Sequence, residues 1–141
     1  LAAFKKNELN RDCIVVLPFQ GPKQNGMPEL HQLTPALSVL QNRGFKVALV
    51  TDGRMSGASG KVPAAIHLSP EASSNGPIGK IKSGDSIELD INKNSLNCLE
   101  IDFEKRASRT VEISSQDNGR GLFKNLRSII SNSEEGGSFL F

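Results

Sequence analysis

The sequence predicts an α/β domain with a mixed sheet and a few flanking helices. Two short β-rich apolar runs enclose a helical segment, and a later stretch alternates apolar and polar residues strictly. A length of 141 residues fits one core of ordinary size, so residues 1–141 are read as a single domain.

The first run is Cys13 to Leu17, closed by Pro18, and the second is Lys46 to Thr51, closed by Asp52-Gly53. Both are read as buried strands. Between them Thr34-Pro35 supplies an N-cap and an N1 proline, Leu37, Val39 and Leu40 an apolar face, and Gly44 a stop. A strand-helix-strand order of this kind predicts a parallel pair. The loops beyond the strands' carboxyl ends, Pro18 to Pro28 and Asp52 to Lys61, are then where ligands bind.

From Gly76 the texture changes. Ile87, Leu89 and Ile91 alternate with Glu88 and Asp90, Asn92-Lys93-Asn94 turns the chain, and Leu96 to Ile101 returns, which predicts an antiparallel hairpin. Asp102 to Arg109 reads as a short exposed helix. Leu122, Phe123, Leu126, Ile129 and Ile130 are spaced as one face of a C-terminal helix, and 131–141 reads as a loose tail.

Seventeen Lys and Arg against fifteen Asp and Glu leave a formal charge of +2, and no long basic run is present. The chain has seven Phe but neither Trp nor Tyr, the usual stacking platforms for single-stranded bases, and nucleic acid is not expected as a partner. No signal peptide or long apolar run is present, so the expectation is a cytoplasmic protein without a membrane span. Cys13 and Cys98 stand far apart inside apolar stretches, as small hydrophobes do. The chain opens Leu1-Ala2-Ala3-Phe4 without an initiator Met, which predicts a part of a longer polypeptide.

Two loops carry the chemistry-bearing residues. In Thr51 to Lys61, three glycines and two serines follow a strand, and backbone N–H groups in such a loop can cradle an anion. A phosphate-binding P-loop would need Gly where Met55 stands and Ser or Thr where Val62 stands. A nucleophile elbow would need Gly in place of Arg54 and Ala58. Neither motif is present, and a plain surface loop competes with a functional one. The second loop ends at Glu29, next to a predicted helix start. Its carboxylate suits either the positive end of a helix dipole or one coordination position of Mg²⁺. Arg54 and Lys61 carry charge suited to a carboxylate or phosphate, Asp52 suits a loop brace that accepts backbone N–H groups, and His67 reads as structural.

The strings GPKQNGMPELHQLTP and VALVTDGRMSGASGKVPAAIHLSPEA resemble the paired signature segments of the family that joins 6-phosphogluconate dehydratase to dihydroxy-acid dehydratase, nearer the former branch. The resemblance covers most of Cys13 to Asp90 and implies a barrel-like β/β/α unit of swivelling type, the C-terminal domain of an iron–sulfur hydro-lyase. It implies dehydration of 6-phospho-D-gluconate to 2-dehydro-3-deoxy-6-phosphogluconate in the Entner–Doudoroff pathway. It implies Ser56 as the base and Glu29 as a Mg²⁺ ligand; beside that base Arg54, Lys61 and Gly57 are the candidate substrate-binding residues, with solvated surface as the competing reading of the two cations.

The cluster cysteines and the other Mg²⁺ ligands of the family belong to the N-terminal domain, the implied partner of this one in a homodimer. The isolated chain is accordingly expected to bind no cluster and show no dehydration. Some sugar-acid dehydratases of the family carry Thr two positions after the base, where Ala58 stands here. The alternatives are a dihydroxy-acid or other sugar-acid dehydratase, a non-catalytic anion-binding module, and a structural cap or dimer-contact domain.

Overall fold

A computed structural model describes residues 1–55, 60–111 and 125–140. The elements are α1 (Ala2–Lys5), β1 (Cys13–Leu17), α2 (Pro22–Asn25), α3 (Leu33–Asn42), β2 (Val47–Thr51), β3 (Ala64–Ala65), β4 (Ile87–Asp90) and β5 (Ser95–Cys98). Short 3₁₀ turns lie at Ala72–Ser74, Pro77–Lys80, Phe103–Lys105, Asn125–Ser128 and Ser133–Glu135.

The strand-helix-strand unit has the expected parallel pairing, with β1 and β2 in register from Cys13 opposite Val47 to Leu17 opposite Thr51. The strand β3 adds to the other edge of β2, also parallel. Every residue of β2 is buried, whereas those of β1 are half-buried, because β1 lies at the sheet edge and β2 at its centre.

Alternation along β2 sends its side chains into two different cores. Val47 and Leu49 face a cluster with Leu37 and Leu40 of α3 and with Val62, and Cys13, Val15 and Leu17 pack against it. Val50 faces the opposite side, where it meets Phe19, Ala72, Ile78 and Ile81, flanked by Ile14, Val16, Ile87 and Leu96. A strand covered on both faces needs apolar residues at consecutive positions, which is why β2 reads as an unbroken run. Leu49 and Val50 are both fully buried, and each side chain contributes about 1.5–3 kcal/mol on leaving water.

Four boundaries differ from the sequence expectation. Helix α3 starts at Leu33 with Gln32 as its cap residue, so Thr34-Pro35 lies inside the first turn rather than at the cap. Proline is tolerated there because first-turn N–H groups have no intrahelical acceptor. Strand β4 stops at Asp90, whose carboxylate accepts the N–H groups of Asn92 and Lys93, and this turn leaves Ile91 exposed instead of on the apolar face. The returning strand β5 ends at Cys98. In 102–109 only Phe103–Lys105 is helical, as a 3₁₀ turn.

Of the expected C-terminal helix, Leu122 and Phe123 lie outside the described residues. Asn125–Ser128 is a 3₁₀ turn, and Ile129 beyond it is exposed. At Ser133–Glu135 the capping residue Asn132 and Glu135 form a reciprocal capping box.

Parallel and antiparallel pairing are therefore both present, in separate sheets, and no closed barrel is formed among the described residues. No helix among them is long and apolar enough to cross a membrane. The cysteines are free and partly covered, Cys13 on β1 and Cys98 on β5, and burial pushes the Cys13 thiol up from its ordinary pKa.

Arg106 ties the hairpin to the turn that follows it. Its guanidinium donates to Asp85 at 2.6 Å and to Asp102 at 2.8 Å. These hydrogen bonds hold both carboxyls below the usual range and Arg106 above its own. The folded pKa values thus lie below the unfolded value of about 3.9, so the tie stabilises above that pH and is lost as pH falls through the folded values. Asp85→Asn is expected to speed hydrogen exchange in the peptide spanning 82–109 at neutral pH. The difference from wild type, followed by mass spectrometry, should shrink below about pH 4.

Candidate active site

The parallel strands end side by side at Leu17 and Thr51, and the chain leaves both ends on the same side of the sheet. The Thr51 hydroxyl donates to the Leu17 carbonyl at 2.7 Å and accepts the Gly53 N–H at 3.0 Å, which starts the second loop as a tight turn. Gly53 must be glycine because a Cβ there would lie 2.6 Å from Cβ of Gln20 on the first loop. The two loops therefore touch at their roots.

Asp52 locks that contact. Its buried carboxylate accepts the N–H groups of Phe19 at 3.0 Å, Gln20 at 2.8 Å and Ala72 at 2.9 Å. Among the described residues it pairs with no cation. Three N–H groups from two distant segments take the place of water around a fully buried charge, and such charge-assisted bonds are about twice as strong as neutral ones. Asp52 is thus the loop brace expected of it.

Farther out the loops pair again. Glu29 and Arg54 form an isolated parallel β-bridge, the Leu30 N–H donates to the Arg54 carbonyl at 3.3 Å, and Arg54 Nε donates to the Met27 carbonyl at 2.7 Å. The structure thereby sets Glu29 and Arg54 on adjacent backbone, although they lie 25 positions apart (54 minus 29). Both are exposed, as is Lys61. Among the described residues the Glu29 carboxylate makes no hydrogen bond or ion pair.

Ser56 and Gly57 lie outside the described residues, but both approaches to that stretch are fixed. On one side Met55 packs against the cluster of Leu37, Val47 and Leu49, and on the other Val62 is buried in the same cluster. His67 sits at the base of the second loop, exposed, and its main-chain N–H donates to the Gly53 carbonyl at 2.9 Å.

The donor set fits Mg²⁺ as one ligand and no more. Glu29 offers a hard, unpaired carboxylate, and Mg²⁺ takes one or two such groups and fills its shell with water and substrate oxygens. No group of three His, Cys, Asp or Glu residues among the described residues is arranged to hold a metal. Cys13 and Cys98 sit in different sheets and do not fit an iron–sulfur cluster.

Glu29 opens onto a cleft of about 190 Å³, lined also by Leu30, His31 and Gln32. That is small against the roughly 300–1,000 Å³ of ordinary ligand sites. A larger cleft of about 310 Å³ is lined mainly by apolar residues, Ile78, Ile81, Leu96 and Phe103 among them, and holds none of the predicted site residues.

Sequence reading assigned no role to Glu71, which is fully buried beside Ala72. An acid between Pro70 and a run of small residues was its only signal.

Replacing Asp52 by Asn removes one acceptor oxygen and turns an amide N–H₂ toward backbone donors. Asp52→Asn is expected to destabilise the domain by on the order of 3 kcal/mol in urea unfolding, against about 1 kcal/mol or less for Arg54→Ala, whose bond to Met27 is exposed to water.

Comparison with known proteins adds one family match and three relatives. Residues 1–137 match the family described as dihydroxy-acid/6-phosphogluconate dehydratase C-terminal. The chain is 59% identical over 145 residues to the phosphogluconate dehydratase of Helicobacter pylori strain ATCC 700392 / 26695, covering 97% of this chain and 24% of that protein. It is 57% identical over 139 residues to that of Pseudomonas aeruginosa, covering 96% and 23%. To the dihydroxy-acid dehydratase of Halothermothrix orenii it is 44% identical over 110 residues, covering 75% and 19%. The chain spans about a quarter of the length of the phosphogluconate dehydratases it matches. With the family match running through both loops and both sheets, the chain belongs to the dihydroxy-acid/6-phosphogluconate dehydratase C-terminal family.

Proposed function

We propose that this chain is the domain of a cytoplasmic hydro-lyase that supplies base, substrate-binding groups and one metal ligand for converting 6-phospho-D-gluconate to 2-dehydro-3-deoxy-6-phosphogluconate. The observation that carries the reading is the Glu29–Arg54 main-chain bridge, which sets a residue whose carboxylate is unpaired among the described residues beside one that carries a cation, on the loops that follow two parallel strands. The choice of substrate follows the higher identity to proteins named phosphogluconate dehydratase than to the dihydroxy-acid dehydratase.

In this reading Ser56 Oγ, as alkoxide, takes the proton from C2, the C3–O bond breaks as the C2–C3 double bond forms, the departing hydroxide takes up a proton and leaves as water, and the enol tautomerises to the ketone. A serine hydroxyl is a very weak acid, so its ionisation needs positive charge close by. Mg²⁺ held in part by Glu29 supplies Lewis acidity at the site when bound. Arg54 and Lys61 bracket the base in sequence and neutralise the substrate's carboxylate or phosphate, while Gly57 offers a backbone donor with no side chain over it. The Met27 carbonyl on Arg54 Nε limits the guanidinium's rotation and leaves its outer nitrogens for an anion.

An iron–sulfur cluster and the remaining Mg²⁺ ligands belong in this reading to the rest of a longer chain, in a homodimer, and so does completion of a barrel-like β/β/α unit. The small cleft at Glu29 supports such a division of the site.

The test is anaerobic turnover of 6-phosphogluconate by the full-length protein, wild type beside Ser56→Ala, with cluster content measured in both. Loss of a positioned base is expected to lower kcat by about a hundredfold or more with the cluster retained. Near-wild-type turnover by the variant would reduce the loop to scaffolding.

A further inference from the structure

We infer that Glu71 is a positioning residue for the metal-ligand loop: it fixes the first loop so that Glu29 meets a divalent cation in a set place. The inference rests on the proposed role of Glu29.

Glu71 sits at the mouth of the 3₁₀ turn Ala72–Ser74 and is fully buried. Its two carboxylate oxygens accept the Lys23 N–H at 3.1 and 3.2 Å, and it accepts the Ser73 hydroxyl. Among the described residues it has no cationic partner. A carboxylate with only neutral donors, out of water, is costly to keep unless those donors are held in place.

The surroundings leave it little freedom. A Cβ at Gly21 would overlap the Glu71 carboxylate, so the chain passes this group at a distance that only glycine permits. The Glu71 carbonyl in turn accepts the N–H groups of Ser74 and Gly76, both at 2.9 Å.

The first loop is consequently held at three stations. Asp52 takes Phe19 and Gln20, Glu71 takes Lys23, and Arg54 takes Met27 and Leu30. Glu29 lies beyond the second station and within the third. Asp52 also accepts the N–H of Ala72, next to Glu71, so the first two stations are built on one another. Without the middle station, the segment from Lys23 to Glu29 would keep its own helical turn, the Asp52 station at Phe19 and Gln20, and the water-exposed bonds of Arg54, but would lose the one buried charge that holds the helical turn to the Ala72 segment. A ligand held loosely binds its ion less tightly, and outer groups that orient a ligand are commonly worth about 10–100-fold in metal affinity.

The experiment uses the full-length protein stripped of divalent cations, with Mn²⁺ as the probe. The electron paramagnetic resonance signal of free Mn²⁺ gives both the dissociation constant and the number of sites for wild type, Glu29→Gln and Glu71→Gln. Gln keeps the volume at position 71 but leaves only one acceptor oxygen for donors that now use two. Both variants are expected to raise the Mn²⁺ dissociation constant about tenfold or more.

A purely structural Glu71 would instead lower the number of sites and leave the constant of the folded remainder unchanged, and that result overturns the inference. A wild-type constant in Glu29→Gln as well would overturn the metal-ligand reading and this inference with it. Should Glu71→Gln fail to fold, Ser73→Ala removes a single donor from the carboxylate at an exposed residue. It is expected to give a smaller rise in the same constant, and an unchanged constant there counts equally against the proposal.

Discussion

A buried carboxylate that pairs with no cation among the described residues sits at the end of the most buried strand, and the geometry of the site depends on how that charge is satisfied. Asp52 follows directly on Thr51 of β2, where it is fully buried, and it is stabilised by backbone N–H groups from residues 32, 33 and 20 positions away. Each donor can reach it only if the first loop turns back over the strand ends and the 3₁₀ turn at Ala72 closes from the other side. Two remote segments are thus specified by one side chain. The cost of withdrawing the charge from water makes partly formed arrangements unfavourable, so the loops hold one arrangement.

Around this point the apolar residues do a different job. The two cores lie on opposite faces of the parallel sheet, and β2 contributes to both by alternation, Leu49 to one and Val50 to the other. Met55 and Val62 carry the same packing to either end of the glycine-rich stretch. Packing sets the height of the strands, and hydrogen bonding to Asp52 and Glu71 sets the loops upon them. Arg54 then serves twice in the proposed site: its main chain bridges to Glu29 and Leu30, while its side chain grips the Met27 carbonyl.

Much of this was legible in the residues. Cys13 to Leu17 and Val47 to Thr51 stand out because strands covered on two faces need apolar residues at every position, and the hairpin stands out because Ile87 and Leu89 alternate with acids. The brace at Asp52 followed from an Asp at the start of a turn. The start of α3 was misplaced because Thr34-Pro35 suits the inside of a first turn as well as its cap. Ile91 was placed on the apolar face because period alone does not register the Asx turn at Asp90. Glu71 escaped notice for a further reason. Its main-chain donor, Lys23, is 48 residues away, and an acid with no local periodicity gives no sign that it is buried. The pairing of Glu29 with Arg54 is likewise long-range and could be anticipated only as two loops at one end of a sheet.

The central claim is that these braced loops deliver Glu29 to a divalent cation beside the Arg54 loop. It is tested most directly by anomalous diffraction at the manganese edge from crystals of the full-length protein soaked in Mn²⁺. The account predicts a peak at ligand distance from the Glu29 carboxylate, about 2.1 Å for a Mg²⁺-type site, on the side where the Arg54 loop lies. A peak held wholly by other residues, with Glu29 turned to solvent, would contradict it.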